Sequence, residues 1–289
     1  MAKPEREDCL TMVQPVVVLL PAHDEEHTVA DVVRRAPRDV RGHPVEVVVV
    51  DDGSTDRTAA EARAAGATVV RHGANRGLGA AVRTGLAHAV ARGAVAVAFL
   101  DADGEYAPEE LDRLVAPVLD GHADYVAGSR FAGLERRMLP HRWLGNRLLT
   151  VAVQGIVRRW GVRGLTDAQS GYRALSPAAA AAAEIVHDFN YAQVLTLDLL
   201  GKGFRYAEVP ITYGFRRHGQ SFVRLGPYLR RVVPAVWREL RAPAVPAAVS
   251  RPAPAALRLG LRTSVLDDEA AEAVACGAPA FGVEGAVGS

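Results

Sequence analysis

The chain has 289 residues, 49% hydrophobic and 23% charged, with a formal net charge of +1. That composition suits a globular protein long enough for one large α/β domain, and the near-neutral charge gives no global electrostatic case for nucleic acid. Cys9 and Cys276 lie near the two ends, which argues against a disulfide framework or a cysteine zinc site and fits a reducing cytosol.

No stretch approaches the roughly 18 apolar residues needed to cross a bilayer. Met1–Asp8 mixes acids and bases with no apolar run, so no secretory signal is expected and the location expected is cytoplasmic. Residues 1–14 read as a loose arm, 15–241 as one folded domain, and 242–289 as a Pro/Ala/Gly-rich tail expected to be disordered.

In chain order, Pro15–Leu20 reads as a first buried strand, followed by Pro21-Ala-His-Asp-Glu-Glu26 and a helix from Thr28 with Val29, Val32 and Val33 on one face. Val45–Val50 is a second strand and runs into Asp51-Asp-Gly-Ser-Thr-Asp-Arg-Thr58, where Ser54, Thr55 or Asp56 can cap the helix through Glu61–Ala65. Ala67–Val70 is a short third strand. Asn75-Arg-Gly-Leu-Gly79 opens the next helix and fails the dinucleotide fingerprint, because Val82 stands where a third glycine is needed. Gly77 and Gly79 still allow close approach to an anion or to neighbouring backbone.

The apolar run Ala94–Leu100 then ends in Asp101-Ala-Asp-Gly-Glu105. Pro108–Leu119 reads as a helix and Tyr125–Gly128 as a strand ending in Gly128-Ser-Arg130. After that the β/α alternation weakens. Trp143–Arg159 has an amphipathic helical pattern with Arg142, Arg147, Arg158 and Arg159, and Thr166–Arg173 is polar and turn-like. Ala178–Ala183 and Asn190–Leu200 read as helices, Phe204–Ile211 as a strand, Phe215–Ser221 as a mobile loop, and Gly226–Arg241 as a basic helix bent at Pro234.

Three strand ends in one half carry acids: Asp24 and Glu25, Asp51 and Asp52, Asp101 and Asp103. Strand, acid, helix, repeated, builds one acidic crevice along the carboxyl edge of a parallel sheet. Carboxylates spaced like Asp101, Asp103 and Glu105 repel one another unless a cation joins them, and hard oxygen donors suit Mg²⁺ or Mn²⁺ shared with a substrate diphosphate. The plain alternative is a polar turn closing a strand, with Gly104 as turn residue.

The order of these pieces resembles the family-2 inverting glycosyltransferases of the GT-A fold, and within them the dolichol- and polyprenyl-phosphate mannosyl- and glucosyltransferases. The matching pieces are Pro21-Ala-His-Asp-Glu25, Val50-Asp-Asp-Gly-Ser-Thr-Asp56, Asn75-Arg-Gly-Leu-Gly79, Asp101-Ala-Asp-Gly-Glu105, Gly128-Ser-Arg130, Asp167-Ala-Gln-Ser-Gly171 and Glu208-Val-Pro-Ile211 with Arg216, Gly219 and Ser221. They run in the family's order across about residues 16–240. The resemblance implies an α/β GT-A fold: a mostly parallel central sheet flanked by helices, with a helical C-terminal extension.

By the same resemblance, Pro21, Glu25 and Asp52 hold base and ribose of a nucleotide-sugar donor. Asp101 and Asp103 carry the metal, with Glu105 at a position where the family often has Gln as third ligand. Arg130 and Arg216 meet phosphate oxygens, and Gln169, Ser170 and Ser221 belong to the substrate-binding set. The chain departs from the mannosyltransferase pattern at His23 and Asp24, at Glu105 and at Phe222, which bears on donor and acceptor identity. Read on their own, Arg130 and Arg216 could be solvated surface residues and Asp167 a helix cap. His187 and His218 lack a second ligand at metal spacing.

The expected reaction is attack of an acceptor oxygen on an anomeric carbon with inversion. A lipid-phosphate acceptor is already anionic and needs positioning only, whereas a hydroxyl acceptor needs a base, for which Asp167 stands as the candidate. The alternatives are the same fold acting on a soluble hydroxyl, a nucleotidyltransferase, and a non-catalytic nucleotide-sugar-binding module. Arg216, Arg217, Arg224, Arg230, Arg231, Arg238 and Arg241 face one acid, Glu239, in residues 214–241. That segment is expected either to pack on the domain or to lay a basic edge on a membrane.

Overall fold

The computed structural model describes residues 13–133, 138, 140–188, 191–214, 234, 236–238 and 241, all within one compact unit, Val13–Arg251. Its elements are β1 (Val16–Ala22), α1 (Val29–Arg35), β2 (Asp39–Val40), β3 (His43–Asp51), α2 (Thr58–Ala64), β4 (Thr68–Arg71), α3 (Leu78–Ala91), β5 (Ala96–Phe99), α4 (Leu111–Leu119), β6 (Tyr125–Ser129), α5 (Pro140–Val157), β7 (Arg173–Leu175), α6 (Pro177–Ala182), α7 (Ala192–Gly201) and β8 (Tyr206–Pro210). Single 3₁₀ turns at Pro108–Glu110 and Arg158–Trp160 precede α4 and follow α5.

The eight strands form one sheet in the order β2-β3-β1-β5-β7-β6-β8, with β4 also on β3. β1 pairs in parallel with β3 on one side and β5 on the other, Leu19 standing opposite both Val48 and Phe99. β7 runs antiparallel between β5 and β6, and β8 returns parallel to β6. The expected mostly parallel α/β sheet is therefore present. The strand β7 and the two-residue β2 were not expected from the sequence.

All seven residues of β1 are buried, which is why its apolar run is unbroken rather than alternating. Alternate side chains still divide the core. Val16, Val18 and Leu20 meet α1 and α4 through Val32, Val33, Leu111 and Leu114. Val17 and Leu19 join the layer of α3, α6 and α7, with Val82, Leu86, Ala179 and Leu195. The result is three layers with the sheet in the middle, and its carboxyl edge carries the loops of interest.

Local chemistry fixes several ends. Pro37 stops α1 by holding Ala36 extended, at ψ 132°. Ser176 caps α6, its hydroxyl accepting from the Ala179 amide at 3.2 Å, with Pro177 at the first helical position. At the start of α2, Arg57 holds the cap position with no side-chain bond of its own; of the three residues expected there, Asp56 accepts from the Thr58 amide at 2.9 Å, whereas Ser54 Oγ accepts from the Asp24 amide across the crevice.

α5 departs from the expected amphipathic pattern. Thr150, Val153 and Val157 are buried, and the opposite face, Leu144, Leu148 and Val151, is also apolar and exposed. No helix among the described residues is long and apolar enough to cross a membrane. Of the expected helix over 226–241, positions 234, 236–238 and 241 are described and helical; Val236 packs on the α3–α7 layer and Trp237 is exposed. The rest of that segment, the loop 215–221, the arm 1–12 and the tail 242–289 lie outside the described residues.

Candidate functional site

The crevice lies where the strand order reverses, at β1 between β3 and β5. On the β3 side, two loops are zipped together. The Thr55 amide donates to Asp24 Oδ1 at 2.8 Å, the Glu25 amide to Thr58 Oγ1 at 2.8 Å, and the Arg57 amide to Glu26 Oε2 at 3.1 Å. Asp24 sits at φ 53°, a left-handed conformation that aspartate tolerates better than most residues. Glu25 is half-buried, its carboxylate accepting from the Thr28 hydroxyl at 3.0 Å. Pro21 is buried inside β1, opposite Val50.

Asp52 is buried at the centre of this side. Its Oδ1 accepts from the Arg76 amide at 2.9 Å and from His72 Nδ1 at 2.6 Å, and its Oδ2 from the Gly77 amide at 2.7 Å. His72 is buried as well, and its Nε2 lies 2.9 Å from Thr84 Oγ1. A carboxylate with about four acceptor positions keeps one on Oδ2 beyond these three bonds.

The amides of both glycines in this turn are engaged within the protein. The Gly77 N–H is held by Asp52, and the Gly79 N–H donates to Asp188 O at 2.9 Å. A Cβ on Gly79 would stand 1.9 Å from His187 O, and one on Gly77, at φ 92°, 2.4 Å from Asp188 O. Close approach to neighbouring backbone is thus realised at both glycines.

On the β5 side, Asp101 is half-buried, and Asp103 and Glu105 are buried. Asp103 Oδ1 accepts from the Glu105 amide at 3.0 Å, and Glu105 Oε2 accepts from the Tyr213 hydroxyl at 2.8 Å. The segment after β8 crosses this motif: Tyr106 bridges Tyr213, and the Gly214 amide donates to Glu105 O at 2.8 Å. Among the described residues no group of three His, Cys, Asp or Glu side chains could hold a metal ion. The expected trio is thus not assembled as a cage, and Glu105 is turned toward the Tyr213 strap. A hard cation held by one or two carboxylates and substrate phosphates needs no cage, and the oxygen donors of Asp101 and Asp103 fit such an ion.

Gly171 backs directly on Asp101: a Cβ there would lie 2.7 Å from Asp101 Oδ2. The Gly171 amide donates to the Tyr106 hydroxyl at 2.7 Å. Burial pushes the Tyr106 phenol well above its ordinary range; Arg130 opposes that and Asp101 adds to it. The loop 167–171 therefore touches the acidic motif through Tyr106 and Asp101.

Arg130 is neither exposed nor solvated. It is 5% exposed and grips Asp167 with two bonds, Nε to Oδ2 at 2.7 Å and Nη2 to Oδ1 at 2.9 Å. Asp167 caps no helix, since the loop it opens leads to β7. It is fully buried and also accepts from the Arg130 amide at 3.2 Å and the Gln169 amide at 3.0 Å. Four bonds fill the acceptor positions of the carboxylate. Glu208 holds the chain just before it, accepting from the Thr166 and Asp167 amides at 2.7 and 3.2 Å. Gln169 is half-buried and bonded to Gln193, whereas Ser170 is fully buried, its hydroxyl accepting from the Tyr172 amide at 3.3 Å. Arg216 and Ser221 lie outside the described residues.

Sequence reasoning missed Arg173. It is fully buried and satisfied by oxygens, reaching Ser170 O at 2.8 Å, Ala168 O at 3.0 Å and Ala192 O at 2.8 Å. It ties the 167–171 loop to α7. Its place beside a Gly-Tyr pair in a polar run gave no sign of burial. His72 and the Tyr106–Tyr213 strap were missed too. For Tyr106 a signal existed, an aromatic directly after the acidic motif.

A three-layer α/β fold with acids at the carboxyl edge beside its strand-order reversal is the architecture of the GT-A fold. The Glycosyl transferase family 2 profile matches residues 17–173, more than half of the chain, and the chain belongs to that family. It is 32% identical over 228 residues to the polyprenol monophosphomannose synthase of Mycolicibacterium smegmatis, covering 72% of this chain and 80% of that protein. It is 28% identical over 183 residues to the UDP-N-acetylglucosamine–dolichyl-phosphate N-acetylglucosaminyltransferase of Methanococcus voltae, covering 57% and 70%. Among solved structures, Mycobacterium tuberculosis glucosyl-3-phosphoglycerate synthase in complex with Mn²⁺, UDP and glucosyl-3-phosphoglycerate superposes at TM-score 0.62 with 25% identity, covering 78% of this chain and 80% of that one. The protein is a glycosyltransferase, and the nucleotidyltransferase and non-catalytic readings fall away.

Proposed function

We propose that the protein moves a hexose from a nucleoside-diphosphate sugar, of the GDP-mannose or UDP-glucose type, to a polyprenyl or dolichyl phosphate. The observation that carries this reading is the saturated carboxylate of Asp167, with both oxygens committed to Arg130 and to backbone amides. Attack by a hydroxyl needs a base to take its proton. Asp167 has no acceptor position left for one. A phosphate monoester is already anionic at neutral pH and needs only to be placed. The relatives named for polyprenol- and dolichyl-phosphate substrates support the same acceptor.

In this reading Glu25 and the remaining acceptor position of Asp52 bind base and ribose, with Pro21 behind them. Gly77 and Gly79 let the Asp52-held turn close on residues 187–188. Asp101 and Asp103 would hold Mg²⁺ or Mn²⁺. When bound, the ion offsets charge growing on the departing diphosphate. Arg130 sets the loop 167–171 and adds positive charge beneath it, and Gln169 lines the acceptor side while buried Ser170 supports it. Arg216 and Ser221 would meet phosphate from the segment after β8. The protein would work at the cytoplasmic face of a membrane.

A second reading, transfer to a soluble hydroxyl, is favoured by the likeness to glucosyl-3-phosphoglycerate synthase. Nucleoside-diphosphate release from GDP-mannose and UDP-glucose decides between them. We expect release that requires both polyprenyl phosphate and a divalent cation. Release driven by 3-phosphoglycerate alone selects the second reading, and full activity in excess chelator removes the metal.

A further inference from the structure

The outward face of α5 is apolar where a surface helix is ordinarily polar. Leu144, Leu148 and Val151, spaced i, i+4, i+7, are 54%, 63% and 60% exposed. Ala152 and Gly155 share that face and are exposed too, and Trp143, 42% exposed, stands at its edge. The helix already buries its other face through Thr150, Val153 and Val157. Among the described residues, two adjoining turns of apolar surface thus remain uncovered.

The charge along this stretch of chain is of one sign. From Met138 to Thr166 the sequence holds Arg142, Arg147, Arg158, Arg159 and Arg163 and no carboxylate. Arg147 is exposed, its guanidinium 5.1 Å from the Phe131 ring and 5.8 Å from that of Trp143. Arg158 and Arg159 are exposed at the helix end. A second copy of this chain seated on the same face would bring arginine against arginine, and the helix itself carries no acid to answer it, which costs affinity. An anionic surface answers the exposed Arg147, Arg158 and Arg159.

We propose that the exposed face of α5 docks on an anionic lipid surface, with Leu144, Leu148 and Val151 in the acyl boundary and Arg147, Arg158 and Arg159 among the headgroups. Trp beside arginine at the margin of an apolar face is the arrangement an interfacial helix requires. The face is continuous with the site. Trp143 packs on Phe131 at 6.4 Å between ring centroids, and the Arg130 guanidinium lies 5.9 Å from the same ring. A lipid standing beside α5 would meet the chain next to the Arg130–Asp167 pair. The inference rests on the lipid-phosphate reading of the acceptor for its purpose, and its test is separate from that reading.

The test is flotation of the full chain with vesicles of phosphatidylcholine, with or without about a third phosphatidylserine, at low salt. We expect flotation with the anionic vesicles, at least tenfold less for the Leu148→Gln/Val151→Gln variant, and a comparable loss for Arg147→Glu/Arg158→Glu/Arg159→Glu. The substituted side chains are exposed, so circular dichroism and thermal unfolding should match the parent. No flotation, or flotation unchanged in both variants, overturns the proposal. So does light scattering that shows a dimer broken by Leu148→Gln/Val151→Gln. Transfer to polyprenyl phosphate in detergent reads the acceptor independently: flotation without transfer sinks the acceptor reading alone, and transfer without flotation sinks the docking alone.

Discussion

The two halves of the sheet hold their polar side chains by different means. Around β1, β3 and β5 the acids are fixed mostly by main-chain amides and hydroxyls of the adjoining loop, as when Asp52 takes the Arg76 and Gly77 amides. Around β6, β7 and β8 buried charges do the holding: Arg130 on Asp167, and Arg173 on three carbonyls. The first half can exchange a loop contact for a ligand contact at small cost. The second half is a fixed floor, because an uncompensated charge inside it is expensive.

The sharpest way to break that contrast is to remove one partner of the floor. Asp167→Asn or Arg130→Met should each destabilise the fold by about 3–5 kcal/mol, and the double variant by less than the sum. Glu25→Gln, on the donor side, should cost below about 1 kcal/mol, as substitutions away from buried networks do. Urea unfolding of the four variants checks this. Equal losses on both sides would erase the distinction.

The next effect is steric and joins the halves. Gly79→Ala drives a methyl into His187 O and should cost about 1–3 kcal/mol. The same substitution at Gly155, in a helix with nothing within 4 Å of the added carbon, should stabilise by about 0.5–1 kcal/mol. Opposite shifts of the thermal midpoint are expected.

The parallel half was legible in the sequence for a physical reason. Strands buried on both faces must be continuous apolar runs, and the acids that follow them fall at the carboxyl edge whatever the details of packing. The other half was hidden because β7 is three residues long and begins with a buried arginine. A period of two cannot declare itself over that length, and Arg173 reads as loop polarity until its partners, Ser170, Ala168 and Ala192, are brought to it. Arg130 and Asp167 misled in the same way, each reading alone as surface or cap while their pairing across 37 positions makes both buried. Ser54 failed as a cap because a tertiary donor, the Asp24 amide, reached it first.

Smaller effects refine the donor side. His72→Leu removes one of three donors from Asp52 and should cost about 1–2 kcal/mol. If Asp52 faces the donor, KM for the nucleotide-sugar should rise severalfold with kcat little changed; a fall in kcat alone would place His72 elsewhere. The smallest effect is at the rim. The hydrogen bonds from Arg35 hold the Glu109 carboxyl below its usual range, against burial, although both side chains are more than a third exposed. Its depressed value stabilises the folded state at pH above the unfolded pKa, about 4.3, and that contribution is lost as pH falls through the lower, folded value. Glu109→Gln should therefore cost less than about 1 kcal/mol at pH 7, and less still as the pH falls through the folded value.

The most direct measurement offers the protein a polyprenyl phosphate and the corresponding free polyprenol in the same detergent, with the same nucleotide-sugar and cation, and follows glycolipid formation across pH 6–9, a range over which the phosphate remains an anion. Since Asp167 has no position from which to take a proton, product should form from the phosphate and none from the alcohol, with a rate nearly flat in pH. Product from the free alcohol, rising with pH and lost in Asp167→Asn, would show a base at work and contradict the assignment.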